Sequence, residues 1–442
     1  MRELASRAAF REDLALLGRR VRSSLAAHDP AAPLRWASER GESIPVVIAL
    51  VLVLATLVLG GLSAAGLAWA TRPFGGAVLA QVVLGVVLRG RTEAVLGPIA
   101  TRHSPLGGYP AVLARAEREP FEAARLAALA EVLRGGGGAA RALSDLDVLL
   151  GFAAVRHNAL IQVVANVFLS WDVFAAARLE GWRRRHGADV ARWLEALAEL
   201  EALTALGTFA AEHPDYAWPR VEPEGPRFVA RGLGHPLVAP RSRVTNDVSL
   251  DRVRALMITG SNMSGKSTML RSMGVAAVLA QVGAPVCADD LVMSELRVWT
   301  SMRIDDSLAT GASHFFAEVR RLKAVVDAVR EPGRPVFFLL DEVLHGTNSR
   351  ERILGAKAVV RHLVDRGAIG AVSSHDLGLV ALEGETAGEV VNVHFQEHVA
   401  DGTMGFDYRM RPGPVATSNA LRLMRQVGID VVPCDDDARG SP

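Results

Sequence analysis

The 442 residues predict an α/β domain of the P-loop NTPase kind at the C-terminal end, an all-α segment before it, and an N-terminal transmembrane helical hairpin. Three observations carry this. A glycine-rich loop, GSNMSGKS over residues 260–267, lies between a strand-like run and an apolar helical run. Upstream, apolar residues recur at three- and four-residue spacing from Thr92 to Trp218. Closer to the start, no charged residue occurs from Ile44 to Ala70.

The loop is the most specific signal. Ala255–Thr259 reads as a buried strand, and the chain then turns through Gly260, Ser261, Asn262, Met263, Ser264 and Gly265. The two glycines let backbone N–H groups point inward at phosphate oxygens, and the helix that follows adds its positive N-terminal end. Lys266 is placed to reach the β and γ phosphates, and the Ser267 hydroxyl to ligate Mg²⁺, with Thr268 behind it. Lys266, Lys323 and Lys357 are the only lysines, against a large excess of arginine. A lysine at this point suggests that the site needs a compact ammonium. The expected ligand is a nucleoside triphosphate.

Length and composition set the frame. The chain can hold two or three domains. Half the residues are hydrophobic and 5% aromatic, so the core is built of Ala, Leu and Val. A net charge of +1 creates no global field that demands nucleic acid. Cys287 and Cys434 are the only cysteines, which argues for a reducing compartment and against a disulfide scaffold or zinc cluster.

Ile44–Ala70 is long enough to span a bilayer, with Ser43 a candidate N-cap. Arg72–Pro73 read as the break, and Phe74–Leu88 as a second, marginal span. A cleaved leader is not expected, because the apolar run starts far from Met1 and is too long. Arg35 and Arg40 precede the pair, Arg89, Arg91 and Arg102 follow it, and Arg72 lies between. The excess of arginine on the flanks puts both flanks in the cytosol, with the protein in the inner or cytoplasmic membrane. The expected organisation is a cytosolic segment 1–43, a hairpin 44–90 (44–70 and 74–88), a helical domain 91–218, an ATPase domain 219–432 and a polar tail 433–442.

In the helical part, Arg183–Arg184–Arg185 reads as a solvated helix face, and Trp171, Trp182 and Trp193, eleven residues apart, as core or partner-facing. Gly135–Gly138 separates two helices. Prolines between 214 and 236 read as a linker into the nucleotide domain.

After the loop, Val336–Leu340 is a continuous apolar run ending in Asp341–Glu342. Acids at the end of a buried parallel strand sit beside the phosphates, so Asp341 is expected in the Mg²⁺ shell and Glu342 as the group that polarises the attacking water. Ala368–Ser373 is a further strand, ending in Ser374–His375–Asp376, which makes His375 a candidate γ-phosphate sensor. His345–Asn348 forms a polar loop. Asp305–Asp306 and residues 311–318 form a small-residue turn that enters a helix.

From about Gly234 to Asp430 the sequence resembles the ATPase domain of the MutS family of DNA mismatch-repair proteins. The matching pieces are TGSNMSGKST, DDSLATGASHFFAE, LLDEVLHGTNSRER, SSHD and the tail VVNVHF…MGFDYRMRPGPVATSNALRLMRQVGI. The resemblance implies an ABC-like ATPase that uses ATP and Mg²⁺ and works as a homodimer with composite sites. It would present Ser313 to the partner's γ-phosphate, make Asn262 a γ-phosphate sensor and His375 a switch histidine, and set Arg243–Asp247, including Asn246, at the border of adenine. The chain departs from the family pattern in four places. Arginine stands at 243 where many relatives have an aromatic, and His314 replaces a more usual threonine. A mismatch-reading domain and a C-terminal helix-turn-helix are both missing from the expected layout. Phe395–Gln396–Glu397 mimics the family's mismatch wedge, but its place on an expected strand makes this a coincidence. The leading expectation is a membrane-anchored MutS-like ATPase acting on a protein partner still to be identified. The alternatives are a DNA-binding repair protein, which the balanced charge of 92–218 does not favour, and a transporter ATPase, which two short apolar runs do not favour.

Overall fold

The computed structural model describes residues 1–25, 32–39, 41, 43–99, 106–302, 314–344, 348–400 and 403–415. It divides into two compact units, Met1–Glu212 and His213–Pro442.

The first unit is all-helical. Helices α1 (Arg2–Ser6), α2 (Ala8–Leu25) and α3 (Ala32–Ser38) precede a long pair, α4 (Val46–Ala64) and α5 (Ala68–Leu96). Then come α6 (Tyr109–Arg118), α7 (Ala124–Arg134), α8 (Ala139–Ala153), α9 (Ala159–Leu169) and the 42-residue α10 (Trp171–Glu212). One core joins Leu4, Phe10 and Trp36 to Leu113, Leu133, Leu143 and Leu200. Residues 1–43 are therefore not a separate segment. Leu4, Phe10, Leu14, Val21 and Trp36 are buried, and α1, α2 and α3 pack on α6 and α10, because helices this short are stable only when packed. Trp182 and Trp193 are core residues, and Trp36 stacks on Trp182 at 6.0 Å. Trp171 is only half-buried and donates to the Phe152 carbonyl at 2.9 Å.

The apolar pair differs from expectation in its break. The chain reverses at Ala65–Leu67, not at Arg72–Pro73, and α5 runs on through Pro73. Gly66 supplies the reason: at φ +91° it closes α4, with Leu67 N–H donating to Leu62 O and Gly66 N–H to Ser63 O. This pairing of the last orphan carbonyls requires a left-handed residue, which glycine adopts at least cost. Ser43 does not cap α4, which begins after Pro45. Both helices are long and apolar enough to cross a membrane. The Arg183–Arg185 cluster is not a uniformly solvated face either. The Arg183 side chain is 4% exposed, paired with the equally buried Glu180 and lying over the Trp36 ring.

The second unit contains a four-stranded sheet ordered β1 (Arg220–Glu222), β5 (Asp290–Ser294), β2 (Phe228–Leu233), β3 (Asn246–Leu250). The proline-rich stretch is thus part of this unit rather than a linker. Ala217 already bridges to Val286, so the boundary falls at 212 rather than 218. The main sheet is ordered β10 (Thr403–Pro412), β9 (Val390–Ala400), β4 (Ala255–Thr259), β8 (Ile369–Ser374), β7 (Val336–Asp341), β6 (Arg297–Ser301). From β9 to β6 all pairs are parallel, while β10 pairs antiparallel to β9. Alternate residues of β7 face opposite layers. Phe337 and Leu339 pack with α11 (Lys266–Gln281), and Phe338 and Leu340 with α12 (His314–Ala328) and α13 (Ser349–Asp365). Burial on both faces explains the unbroken apolar runs. A short α14 (Leu382–Glu385) leads to β9, which carries Phe395 in the core.

Candidate active site

Strand register brings the expected groups to one edge of the sheet. Thr259 pairs with Ser374, and Asp341 with Ser373, so β4, β8 and β7 end side by side. The loop 260–265, His375 and Glu342 each follow directly from one of these ends. Ligands of parallel sheets bind at such carboxyl ends.

The loop has the shape of a phosphate cradle. Gly260 and Gly265 stand at φ +145° and +111°, and Met263 at +65° with its side chain 85% exposed. Asn262 is exposed, and Ser267 is half-buried. Lys266 is 4% exposed, and its Nζ donates to Gly260 O at 2.8 Å and Ser261 O at 2.7 Å. Burial pushes the Lys266 pKa below the usual lysine range, and the charges of Glu342 and Asp341 oppose this. The lysine is thus folded back on its own loop, tied to carbonyls that cannot neutralise it. Ser261 Oγ and Ser264 Oγ are buried without a hydrogen-bond partner. Buried hydroxyls beside a buried ammonium suit a loop shaped for phosphate oxygens.

The acid pair is held from β8. Ser373 Oγ donates to Asp341 Oδ1 and accepts from the Glu342 N–H at 3.2 Å. Glu342 adopts φ +50°, and its Oε1 is 3.4 Å from His375 Nδ1. Next to the pair, the Leu344 N–H donates to the carboxylate of Glu318 on α12, which is 3% exposed. Neither the Ser373 nor the Glu318 contact is legible in the sequence, beyond both residues lying inside quoted motifs. Among the described residues no cluster of three or more His, Cys, Asp or Glu could hold a metal by itself. Ser267 and Asp341 nevertheless offer the hard oxygen donors that suit Mg²⁺, an ion that usually completes its shell with phosphates and water. Ser313, Asp305–Asp306 and residues 345–347 lie outside the described residues; Asn348 caps α13 through the Glu351 N–H at 2.9 Å.

Behind the loop is a cavity of about 340 Å³, bordered by His235, Arg243, Asn246, Gly265, Thr268 and Tyr408. It shares Gly265 with the cradle and includes none of Asp341, Glu342 and His375. Its size and largely apolar lining suit a purine base. Arg243 and Asn246 border it, but their polar groups are already engaged. The Arg243 guanidinium donates to Val238 O and lies 5.5 Å over the Tyr216 ring. Asn246 donates to Tyr408 O at 3.0 Å and accepts from Met410 N–H at 2.7 Å. Asn246 is therefore a clamp on β10 more than a direct ligand. What it clamps is Tyr408, a residue the sequence reading missed. Tyr408 sits at φ +55° where the β9–β10 register shifts, and its ring stands 3.2 Å from where a Gly265 Cβ would lie.

Comparison with known proteins points to the same stretch of the chain. Residues 256–433 match the family model for MutS domain V. The chain is 32% identical over 289 residues to the DNA mismatch repair protein MutS 2 of Haloarcula marismortui, covering 59% of this chain and 29% of that one. It is 35% identical over 240 residues to MutS of Natronomonas pharaonis, covering 53% of this chain and 27% of the relative. With MutS of Thermus thermophilus it shares 30% identity over 260 residues, covering 58% and 30%. The chain thus spans less than a third of the length of the curated relatives it matches. The matched residues include the loop 260–267, the acid pair Asp341–Glu342 and His375, so the C-terminal unit is similar to the ATPase domain of MutS proteins.

Proposed function

We propose that this chain is a membrane-anchored ATPase that binds ATP with Mg²⁺ and hydrolyses it at sites shared between two copies, using closure of the pair to drive a conformational change. The observation that carries the reading is the convergence of Lys266, Asp341, Glu342 and His375 on the ends of three adjacent parallel strands. ATP phosphates would draw Lys266 off the Gly260 and Ser261 carbonyls and engage the orphan hydroxyls of Ser261 and Ser264. Mg²⁺ held by Ser267 and Asp341 would offset charge on the phosphates. Glu342, kept in place through its N–H by Ser373, accepts a proton from the attacking water, and His375 beside it donates to the γ-phosphate. Ser313 of a second copy completes the site in this reading, as the family resemblance implies.

The anchoring rests on α4 and α5, whose Val47, Ile48, Val51, Leu79, Val83 and Val87 are exposed. Helix α9 adds to this surface. None of its residues is buried, and it follows α8 and its short 3₁₀ turn at a bend of 108°. The relatives are named for DNA mismatch repair, but a net charge of +1 does not favour a strong grip on a duplex, so DNA is not part of the proposal. The test is Glu342→Gln. The variant is expected to retain ATP while turnover falls by about a hundredfold or more, the scale of losing a general base. Wild-type turnover in this variant would remove Glu342 from the mechanism.

A further inference from the structure

The helical unit holds a second cavity, about 770 Å³, between α5, α9 and the start of α10. Its polar lining includes Gln81, Arg89, Arg156 and Asp172. Gln81 is 1% exposed, yet neither its Nε2 nor its Oε1 has a hydrogen-bond partner. Ser170 Oγ and Arg156 Nη1, on the same cavity, are also buried and unpartnered, although Arg156 Nη2 pairs with Glu93 at 2.5 Å. Three orphan polar groups around one cavity are costly unless something in it accepts or donates to them. Asp172 is different: it already accepts from Gln162 at 3.1 Å and Asn166 at 3.0 Å.

The lining is graded. Gln81 and Arg89 are eight residues apart on α5, about 12 Å along a helix. Arg89, Glu93 and Arg156 make a charged rim, Gln81 is an amide further along α5 with Gln162 and Asn166 also on the lining, and Val82, Val86 and Val163 line the wall with hydrocarbon. The helices that build it are those whose outer faces are exposed and apolar, Leu79 and Val83 on α5 and Leu160, Ile161 and Val164 on α9. A ligand that matches this order is an amphiphile with a charged head, a hydrogen-bonding neck and an apolar tail. The charged lining of the whole cavity balances, two guanidiniums against the carboxylates of Glu93 and Asp172. That favours a head bearing both a phosphate and an ammonium.

We propose that this cavity binds one amine-bearing zwitterionic phospholipid. Its phosphate would meet Arg89 and Arg156, its ammonium Asp172, and an ester carbonyl the Gln81 Nε2, with the acyl chains leaving along the valines. The proposal rests on the membrane reading above.

The test uses the full-length chain in detergent, stripped of lipid and then offered phosphatidylethanolamine, phosphatidylglycerol or inorganic phosphate, with native mass spectrometry and thermal unfolding as readouts. Wild type is expected to retain one phosphatidylethanolamine per chain and to unfold at a higher temperature with it. Gln81→Leu and Arg156→Gln should retain it about tenfold less well, the scale of one lost buried hydrogen bond. Without lipid, Gln81→Leu should be at least as stable as wild type, since the change removes an orphan amide. Undiminished retention by Gln81→Leu overturns the proposal. So does an equal upward shift with inorganic phosphate, which would mark a free-anion site, or a preference for phosphatidylglycerol. Vesicle flotation separates the two readings. Wild type that floats but retains no lipid refutes this site alone, whereas wild type that does not float refutes the membrane reading.

Discussion

Replacing Tyr408 with alanine removes an aromatic face from the cavity behind the phosphate loop while sparing the backbone that positions it. The side chain is 43% exposed, so a base can cover it. Asn246 holds residue 408 through its carbonyl, a bond that alanine keeps, and the left-handed backbone at φ +55° is strained for either residue. Stacking of a base on an aromatic ring is worth about 1–3 kcal/mol, so ATP should bind about 5- to 150-fold more weakly. Tyr408→Phe keeps the ring and should stay within about twofold. Because the acid pair lies outside this cavity, the loss should raise KM and leave kcat at saturating ATP nearly unchanged, as expected when an interaction common to ground and transition states is removed. The assay is titration of full-length protein with a fluorescent ATP analogue, steady-state hydrolysis alongside, and thermal unfolding as a control for folding. An unchanged Kd, or a fall in kcat at constant KM, would refute the placing of the base against Tyr408.

Arg183→Ala leaves Glu180 buried beside Trp36 with only the exposed Arg184 at 3.0 Å, and should cost about 3 kcal/mol, the lower end for a broken buried pair; replacing both residues by apolar ones should recover much of that in thermal unfolding, and no recovery would mean that the pair is not the source. The chain should stay with membranes through high-salt and carbonate washing, and a fragment starting at His213 should be soluble where one starting at Thr92 is not, because the latter loses Leu4, Phe10 and Trp36 from the helical core; solubility of full-length protein without detergent would contradict the anchor. Mixing Ser313→Ala with Lys266→Ala chains should restore part of the ATPase activity, since one shared site then keeps both groups, and absence of rescue together with a rate per chain that does not depend on concentration would mean that one protomer suffices.

The features legible in the sequence are those whose physical cause is local. Ala255–Thr259, the glycine-bearing loop and the helix from Lys266 are contiguous, and their pattern of burial and dihedral demand is written in order along the chain. The same holds for β7 and its terminal acids, because a strand buried on both faces must read as unbroken hydrocarbon and its end must be polar. Contacts between distant residues left no such trace. Asn246 and Tyr408 are 162 residues apart, Asp341 and Ser373 are 32 apart, and no periodicity says which polar side chain will hold which backbone group. Proline density suggested a linker, but an isolated bridge from Ala217 to Val286 and the pairing of β1 with β5 tie that stretch to the second unit. Proline at 73 suggested a break, yet the reversal went to Gly66, because a left-handed cap ends a helix more decisively than a proline near its start. Arg183 read as solvated and residues 1–43 as a separate cytosolic segment, yet packing buried Arg183 and took Leu4, Phe10 and Trp36 into the helical core: whether a charge or a short helix meets water is decided by what the rest of the chain brings against it. The sequence by itself determined the chemistry of the phosphate loop and the strands that deliver it. Only the tertiary structure decided which groups hold that site in register, because those contacts form when separate elements pack and not before.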